Sequence, residues 1–186
     1  MLLFFNAECF LALLRRGRII LCMNTLEPYR VLFVCLGNIC RSPAAEIIFK
    51  EMVRFQGLEN LIKSDSAGIS EYHCGSSPDR RMLMALKKYG YEDPGVKSRP
   101  VRREDLEQFD LIVGMDRANL LDLKRLDKRG QREGKIVPMC FFTARFPDEE
   151  VPDPYYGGQR GFEHVVELLQ DCCTNLLEHL KEQLSL

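Results

Sequence analysis

The sequence lacks the motifs that build common zinc sites and nucleotide-binding loops. Its eight cysteines include no Cys-x2-Cys pair, so we expect no zinc module, and none of its three histidines is assigned to catalysis. No Gly-x4-Gly-Lys-Ser/Thr segment is present, which excludes a nucleotide-binding loop of the Walker kind.

The sequence also lacks a strong net charge and a membrane-spanning run. Its formal net charge of −1 gives no case for nucleic-acid binding. The apolar stretch at residues 1–14 contains Glu8, is too short to span a bilayer and has no leading positive region. We predict that residues 1–28 are an extension, either a simple upstream one or an atypical organelle-targeting segment, and that residues 29–186 form one domain.

The cysteine spacing is irregular rather than typical of a disulfide scaffold. A chain of 186 residues can bury a core of its own, so its thiols are expected to be reduced. This predicts a cytoplasmic protein, with organelle targeting by residues 1–22 left open.

Strand-like and helix-like patterns alternate along the chain. We predict an α/β three-layer sandwich with a central four-stranded parallel sheet and helices on both faces. The predicted strands are 30–35, 61–66, 109–114 and 135–139, and the predicted helices are 43–56, 79–89, 117–126 and 161–183.

Three segments match Cys-x5-Arg, beginning at Cys9, Cys35 and Cys74. The first has only apolar residues between its ends and no glycine to turn amides inward. The third follows no buried strand and contains Pro78, which has no amide donor. Only Cys35 follows a β-branched and aromatic run, residues 30–34, which is typical of a buried parallel strand. We therefore place Cys35 at the C-terminal end of a strand.

The residues after Cys35 predict an anion-binding loop that leads into a helix. Gly37 and Asn38 are residue types that adopt positive φ readily, which lets successive amides converge on an anion. Ser42 is predicted to cap the helix, with Pro43 at its first position. The positive end of the helix dipole would then face the same anion and stabilise a thiolate at Cys35.

Arg41 and Asp153 supply the other groups that a cysteine-based phosphatase needs. The guanidinium of Arg41 is a rigid fork that can bind two phosphate oxygens. Asp153 stands between two prolines in a rigid loop and is a candidate acid for the leaving group. Tyr155 and Tyr156 follow it and predict an aromatic wall.

The sequence resembles a low-molecular-weight protein tyrosine phosphatase over roughly residues 29–180. The resemblance rests on separated motifs: Cys-Leu-Gly-Asn-Ile-Cys-Arg-Ser-Pro from Cys35, Asp-Ser-Ala-Gly from Asp65, Ser-Arg at Ser98, Gly-Met-Asp from Gly114, and Asp-Pro-Tyr-Tyr-Gly from Asp153. It implies Cys35 as nucleophile, Arg41 as phosphate clamp, and Asp153 as general acid and then general base. The implied phosphate-binding loop comprises Cys35 with Leu36, Gly37, Asn38, Ile39, Cys40, Arg41 and Ser42.

The resemblance also implies the reaction. Phosphotyrosine in proteins, or a small aryl phosphate, is hydrolysed through a phosphocysteine on Cys35, and inorganic phosphate is released. No metal or other cofactor is implied. The implied partners are phosphotyrosine-containing proteins, with no nucleic acid or membrane, and the implied assembly is a monomer or a weak dimer. Within the loop, Asn38 would hold the shape and Ser42 would stabilise the departing thiolate.

The substrate pocket implied by the resemblance has apolar walls. Its wall residues are Leu36, Ile39, Tyr72, Tyr155 and Tyr156, which suit a flat phenyl ring. Ile39 favours tyrosine as the phosphorylated residue, because related arginine-phosphate phosphatases carry threonine at that position.

Two further expectations concern the loop itself. The family commonly has a histidine that braces the loop two residues before the Ser98 position, and here the residue is Val96. Cys40 lies close to Cys35 in the loop, so we expect it to serve as a redox partner that forms a reversible disulfide.

Two alternative functions remain open from the sequence. One is an arsenate-reductase-like thiol enzyme that uses Cys40 or Cys74 as a resolving thiol, and the retention of Asp153 counts against it. The other is a non-catalytic phosphotyrosine-binding module, which the presence of Cys35, Arg41 and Asp153 together disfavours.

Overall fold

Strands and helices alternate along the chain, as the sequence predicts. The structure is a computed structural model and describes residues 27–127, 130 and 133–186. These residues form β1 (Tyr29–Cys35), α1 (Arg41–Phe55), β2 (Ile62–Gly68), α2 (Arg80–Lys88), α3 (Asp105–Gln108), β3 (Leu111–Gly114), α4 (Arg117–Leu126), β4 (Ile136–Pro138) and α5 (Gln159–Leu184). Short 3-10 turns at Glu133–Lys135 and Met139–Phe142 flank β4.

The four strands form one parallel sheet in the order β2-β1-β3-β4. Side chains of β1 alternate between two cores because a strand has a period of two. Val31 and Phe33 pack with α1, α2 and α5, whereas Leu32 and Val34 pack with α3 and α4. Helices therefore cover both faces, and the predicted three-layer fold is confirmed.

The sheet order places a switch point between β1 and β3. From β1 the chain crosses to β2 on one side, while β3 lies on the other side of β1. A crevice forms outside the carboxyl ends of strands at such a point, and ligands bind there in open α/β sheets. Cys35 ends β1, and Asp116 follows β3 by two residues, so both stand at this crevice.

Several details differ from the sequence prediction. The short helix α3 and the two 3-10 turns were not predicted. The first helix begins at Arg41, earlier than the predicted residue 43, and its N-cap residue is Cys40. The prediction that Ser42 caps this helix is wrong, because Ser42 lies inside the helix and its hydroxyl bonds elsewhere.

The predictions for residues 1–26 fall outside the described residues, so the N-terminal extension remains a prediction. Within the described part of the chain, no helix combines the length and the apolar character needed to cross a bilayer.

Candidate active site

Cys35 lies at the floor of a loop with donors directed at its sulfur. The side chain is buried, at 3% exposure. The amide of Asn38 donates to Sγ at 3.2 Å, and the hydroxyl of Ser42 donates to Sγ at 3.1 Å. Both donors are therefore directed at the sulfur atom from within the loop.

Asn38 fixes the shape of the loop. It is fully buried and has φ of 51°, in the left-handed region that asparagine tolerates better than most residues. Its Nδ2 donates to the hydroxyls of Ser42 at 2.9 Å and Ser66 at 2.8 Å, and its Oδ1 accepts from the amide of Arg99 at 2.9 Å. The side chain thus ties the loop to β2 and to the segment before α3.

The loop has two further supports behind Asn38. The hydroxyl of Ser98 donates to the carbonyl of Gly37 at 3.2 Å. The hydroxyl of Ser66 donates to Glu46 Oε2 at 2.5 Å, and Lys50 forms an ion pair with the same carboxylate group. Burial raises the pKa of Glu46. The loop is therefore braced by hydrogen bonds that do not involve the apolar side chain at Val96.

Arg41 is a buried cation held by groups from other elements. Its side chain is 4% exposed, and its Nη1 donates to Asp116 Oδ2 at 2.6 Å and to the carbonyl of Val151 at 3.1 Å. Its Nη2 lies 3.4 Å from Asp153 Oδ2. Asp116 also caps α4 by accepting from the amide of Asn119, so its carboxylate is fixed where it meets Arg41.

Asp153 faces the phosphate-binding loop from a turn that it helps to form. We call residues 151–157 the Asp153 loop. The Asp153 Oδ1 accepts from the amide of Tyr155 at 3.1 Å, while its side chain remains 40% exposed. The amide of Val151 donates to the carbonyl of Met115 at 2.9 Å, which anchors the loop beside β3. The Asp153 side chain is therefore held in position by the backbone of its own loop and is still accessible to solvent.

The structure brings most of the predicted site residues to one pocket of 340 Å³. Predicted residues that line it are Cys35, Leu36, Gly37, Ile39, Cys40, Arg41, Tyr72, Asp153, Tyr155 and Tyr156. Asn38 and Ser42 are buried behind the loop rather than in the pocket wall. Among the described residues, no group of three or more histidine, cysteine or acidic side chains is arranged to hold a metal ion.

Comparison with known proteins identifies the family. The family model described as low molecular weight phosphotyrosine protein phosphatase matches residues 30–186. A Synechocystis protein whose name assigns it to the low molecular weight protein-tyrosine-phosphatases is 52% identical over 155 residues, covering 83% of this chain and 98% of that protein. The chain belongs to the low molecular weight phosphotyrosine protein phosphatase family.

Solved structures agree with this assignment. A protein tyrosine phosphatase from Entamoeba histolytica is 42% identical with a TM-score of 0.80, covering 83% of this chain and 98% of its own. A Drosophila arginine phosphatase is 34% identical with a TM-score of 0.74, covering 81% of this chain and 97% of its own. The fold thus occurs both in a protein named as a tyrosine phosphatase and in one named as an arginine phosphatase.

Aromatic side chains form the rim of the phosphatase pocket. Tyr72 is 87% exposed and packs edge-on against His73, with ring centroids 4.9 Å apart. Tyr156 is 92% exposed and packs edge-on against Tyr155 at 5.1 Å. These exposed rings line the same pocket as Cys35.

Cys40 differs from Cys35 in its surroundings. It lines the same pocket but is buried, and this burial raises the pKa of Cys40 to about 12, with a further contribution from the charge of Asp79. Cys40 therefore stays a thiol at neutral pH. Cys74, the other resolving thiol considered above, is exposed and does not line the pocket.

The sequence did not indicate the pairing of Asp116 with Arg41, and the predicted capping role of Ser42 is wrong, whereas the contact between Ser42 and Cys35 that the family resemblance implied is present. The Gly-Met-Asp motif contains Asp116, but the pairing of Asp116 with Arg41 links residues 75 positions apart. An acidic residue just after a parallel strand next to β1 was the available signal. For Ser42, the helix pattern was correctly recognised, but the hydroxyl bonds to Cys35 rather than to helix amides.

Proposed function

We propose that this phosphatase hydrolyses phosphotyrosine through a phosphocysteine intermediate on Cys35. The observation that carries the proposal is the convergence of Cys35, Arg41 and Asp153 on one pocket, with two hydrogen-bond donors directed at the Cys35 sulfur. A nucleophile, an anion clamp and an acid are the groups that the double displacement needs.

In the first step, Cys35 Sγ attacks phosphorus and the bond to the phenolic oxygen breaks. Asp153 gives its proton to that oxygen, because an alkoxide or phenoxide leaves poorly without one. Asp116 and Val151 hold Nη1 of Arg41, which leaves Nη2 toward Asp153 and the pocket to bind phosphate oxygens. The guanidinium stabilises charge on the transferring group.

In the second step, water attacks phosphorus and the thiolate leaves. Asp153, now a carboxylate, takes the proton from that water, and inorganic phosphate departs. The hydroxyl of Ser42 stabilises the leaving thiolate through its hydrogen bond of 3.1 Å to Cys35 Sγ. The same residues thus serve both halves of the reaction.

The pocket wall supports tyrosine as the phosphorylated residue. Ile39 and Leu36 line the pocket together with Tyr72, Tyr155 and Tyr156, and these apolar surfaces suit a phenyl ring. A guanidinium would lose water there without gaining a polar partner at residue 39. Because a similar structure belongs to an arginine phosphatase, a direct comparison of phosphotyrosine with phosphoarginine peptides tests this substrate choice.

The Asp153→Asn variant tests the acid assignment. We expect kcat/KM for a phosphotyrosine peptide to fall by about 10²-fold or more, since general acid catalysis contributes at least that much. The loss for 4-nitrophenyl phosphate should be much smaller, because its phenol is acidic enough to leave unaided. Steady-state kinetics on both substrates measures this.

The matched control is Glu149→Gln, an exposed acidic residue that pairs with Arg117 away from the pocket and should leave both rates unchanged. Equal losses on the two substrates in Asp153→Asn would contradict the acid role. Reduction of arsenate by the wild-type protein with a thiol reductant would instead support the arsenate-reductase alternative.

Peroxide treatment tests Cys40 as the redox partner. Peroxide oxidises the Cys35 thiolate to a sulfenic acid, and the Cys40 thiol then condenses with it to form a disulfide and water. We expect the wild type to regain its activity with a thiol reductant, and Cys40→Ser to lose activity irreversibly. Cys74→Ser should behave as the wild type. Peptide mapping that finds only sulfinic Cys35 in the wild type would refute this role.

A further inference from the structure

Asp79 and Arg81 connect the phosphate-binding loop to the Asp153 loop. Neither was predicted as a site residue, and neither lines the pocket. Asp79 is the N-cap of α2, and Arg81 is the second residue of that helix. Their side chains form a two-point ion pair, with Arg81 Nη2 to Asp79 Oδ2 at 2.7 Å and Nε to Oδ1 at 3.1 Å.

The Asp79 end of this pair is attached to the phosphate-binding loop. The amide of Asp79 donates to the carbonyl of Ile39 at 2.7 Å, and its carboxylate also accepts from the amide of Arg81 at 2.8 Å. Hydrogen bonds from the guanidinium lower the pKa of Asp79. The pair is therefore charged at neutral pH and is fixed to the start of α2.

The Arg81 end is attached to the Asp153 loop. Its Nη1 donates to the carbonyl of Tyr155 at 3.0 Å, and its guanidinium carbon lies 5.1 Å from the Tyr155 ring centroid. It also lies 4.8 Å from the ring of the buried Phe162. The amide of the same Tyr155 donates to Asp153 Oδ1. Tyr155 therefore links Arg81 to the carboxylate of Asp153.

We propose that Asp79 and Arg81 are positioning residues that set the distance between Asp153 and the phosphate bound above Cys35. The inference rests on the proposed function, in which Asp153 is the general acid. A proton donor must lie within hydrogen-bonding reach of the leaving oxygen, and a displacement of about 1 Å can cost up to about 10²-fold in rate. From the phosphate-binding loop itself, Asp153 receives only the 3.4 Å contact of Arg41.

The test compares leaving groups in the intact protein. Arg81→Met should lower kcat/KM for an O-phosphotyrosine peptide, whose phenol has a pKa of about 10, by about tenfold or more. For 4-nitrophenyl phosphate the expected loss is less than about threefold, because that phenol needs less help from an acid. Arg81→Lys should lose less kcat/KM for the phosphotyrosine peptide than Arg81→Met, since lysine keeps the charge but not the planar fork.

Two controls separate positioning from a general loss of structure. Arg80→Met removes the neighbouring exposed arginine, which does not line the pocket, and should leave both rates unchanged. Combining Arg81→Met with Asp153→Asn should add no further leaving-group effect beyond that of Asp153→Asn alone, because both changes act through one proton transfer. If Arg81→Met does not fold, as judged by its melting curve, the same comparison in Arg81→Lys and Asp79→Asn decides the question.

The outcomes distinguish this inference from the proposed function. If Asp153→Asn shows the leaving-group effect but the Arg81 and Asp79 variants lose nothing, or lose equally on both substrates, the positioning role is wrong and the acid assignment stands. If Asp153→Asn itself shows no leaving-group effect, the acid assignment fails. A selective loss on phosphotyrosine in Arg81→Met, with Arg80→Met unchanged, supports the positioning role.

Discussion

Cys35→Ser is expected to abolish hydrolysis of both phosphotyrosine and 4-nitrophenyl phosphate. Removing the nucleophile should lower kcat by at least about 10⁴-fold, since the remaining groups have nothing to transfer phosphate to. A serine hydroxyl in the same position is a weaker nucleophile than a cysteine sulfur, and the donors from Asn38 and Ser42 lie 3.2 and 3.1 Å from that sulfur. Release of inorganic phosphate measures the loss.

The matched control for this variant is Cys74→Ser. Cys74 begins another Cys-x5-Arg segment of the chain, but it is exposed and does not line the pocket. Its replacement should leave the rate unchanged. Activity that survives Cys35→Ser but disappears in Cys74→Ser would identify Cys74 as the nucleophile instead.

Arg41→Lys should lower kcat/KM for phosphotyrosine by about 10²- to 10³-fold, which corresponds to about 2.7–4 kcal/mol of transition-state stabilisation. Lysine retains the positive charge but cannot bond to Asp116, to the Val151 carbonyl and to phosphate with one planar group. Competitive inhibition by inorganic phosphate should weaken as well, because the ground state uses the same fork. Steady-state kinetics and phosphate titration measure the two effects.

Arg54→Lys is the control for that substitution. Arg54 lies in the last turn of α1, on the same helix as Arg41, and its exposed side chain pairs only with Glu51 among the contacts seen. Its replacement should change neither rate nor phosphate inhibition. An Arg41→Lys variant with wild-type kinetics would show that a point charge is sufficient and that the fork geometry is not used.

The nucleophile loop could be predicted because its chemistry is local in sequence. Residues 30–43 contain all of its parts in order: a buried strand, a cysteine, a turn with glycine and asparagine, and the start of a helix. Strand end, turn and helix dipole then necessarily meet at one point. The parallel sheet could also be predicted from the sequence, since its strands are short apolar runs separated by helical patterns.

The supports of the site could not be predicted because they join distant segments. Asp116 meets Arg41 only because β3 lies beside β1, and Arg81 meets Tyr155 only because α2 starts next to the Asp153 loop. The place of Asp116 just after a strand was a signal that it lies near the site, but no pattern in the sequence identifies Arg41 as its partner or brings Arg81 to Tyr155. The cap prediction for Ser42 failed for a local reason: a serine near a helix start usually caps it, but here its hydroxyl bonds to the sulfur of Cys35, as the family resemblance implied.

Val96 stands where the family commonly has a histidine that braces the loop. The expected histidine is absent, yet Asn38 still has partners for both ends of its amide, in Ser42, Ser66 and the Arg99 amide. The loop contacts come from several segments, so one substitution leaves most of them in place.

The most direct test of the mechanism is to trap the intermediate. An Asp153→Asn protein mixed with a reactive aryl phosphate and quenched in acid within one turnover should carry phosphate on the Cys35 peptide, because loss of the general base slows its hydrolysis. Peptide mass spectrometry locates the phosphate. Phosphate found on Cys35 is the predicted result. Phosphate on another residue, or rapid turnover with no phosphoenzyme at all, would contradict the proposed mechanism.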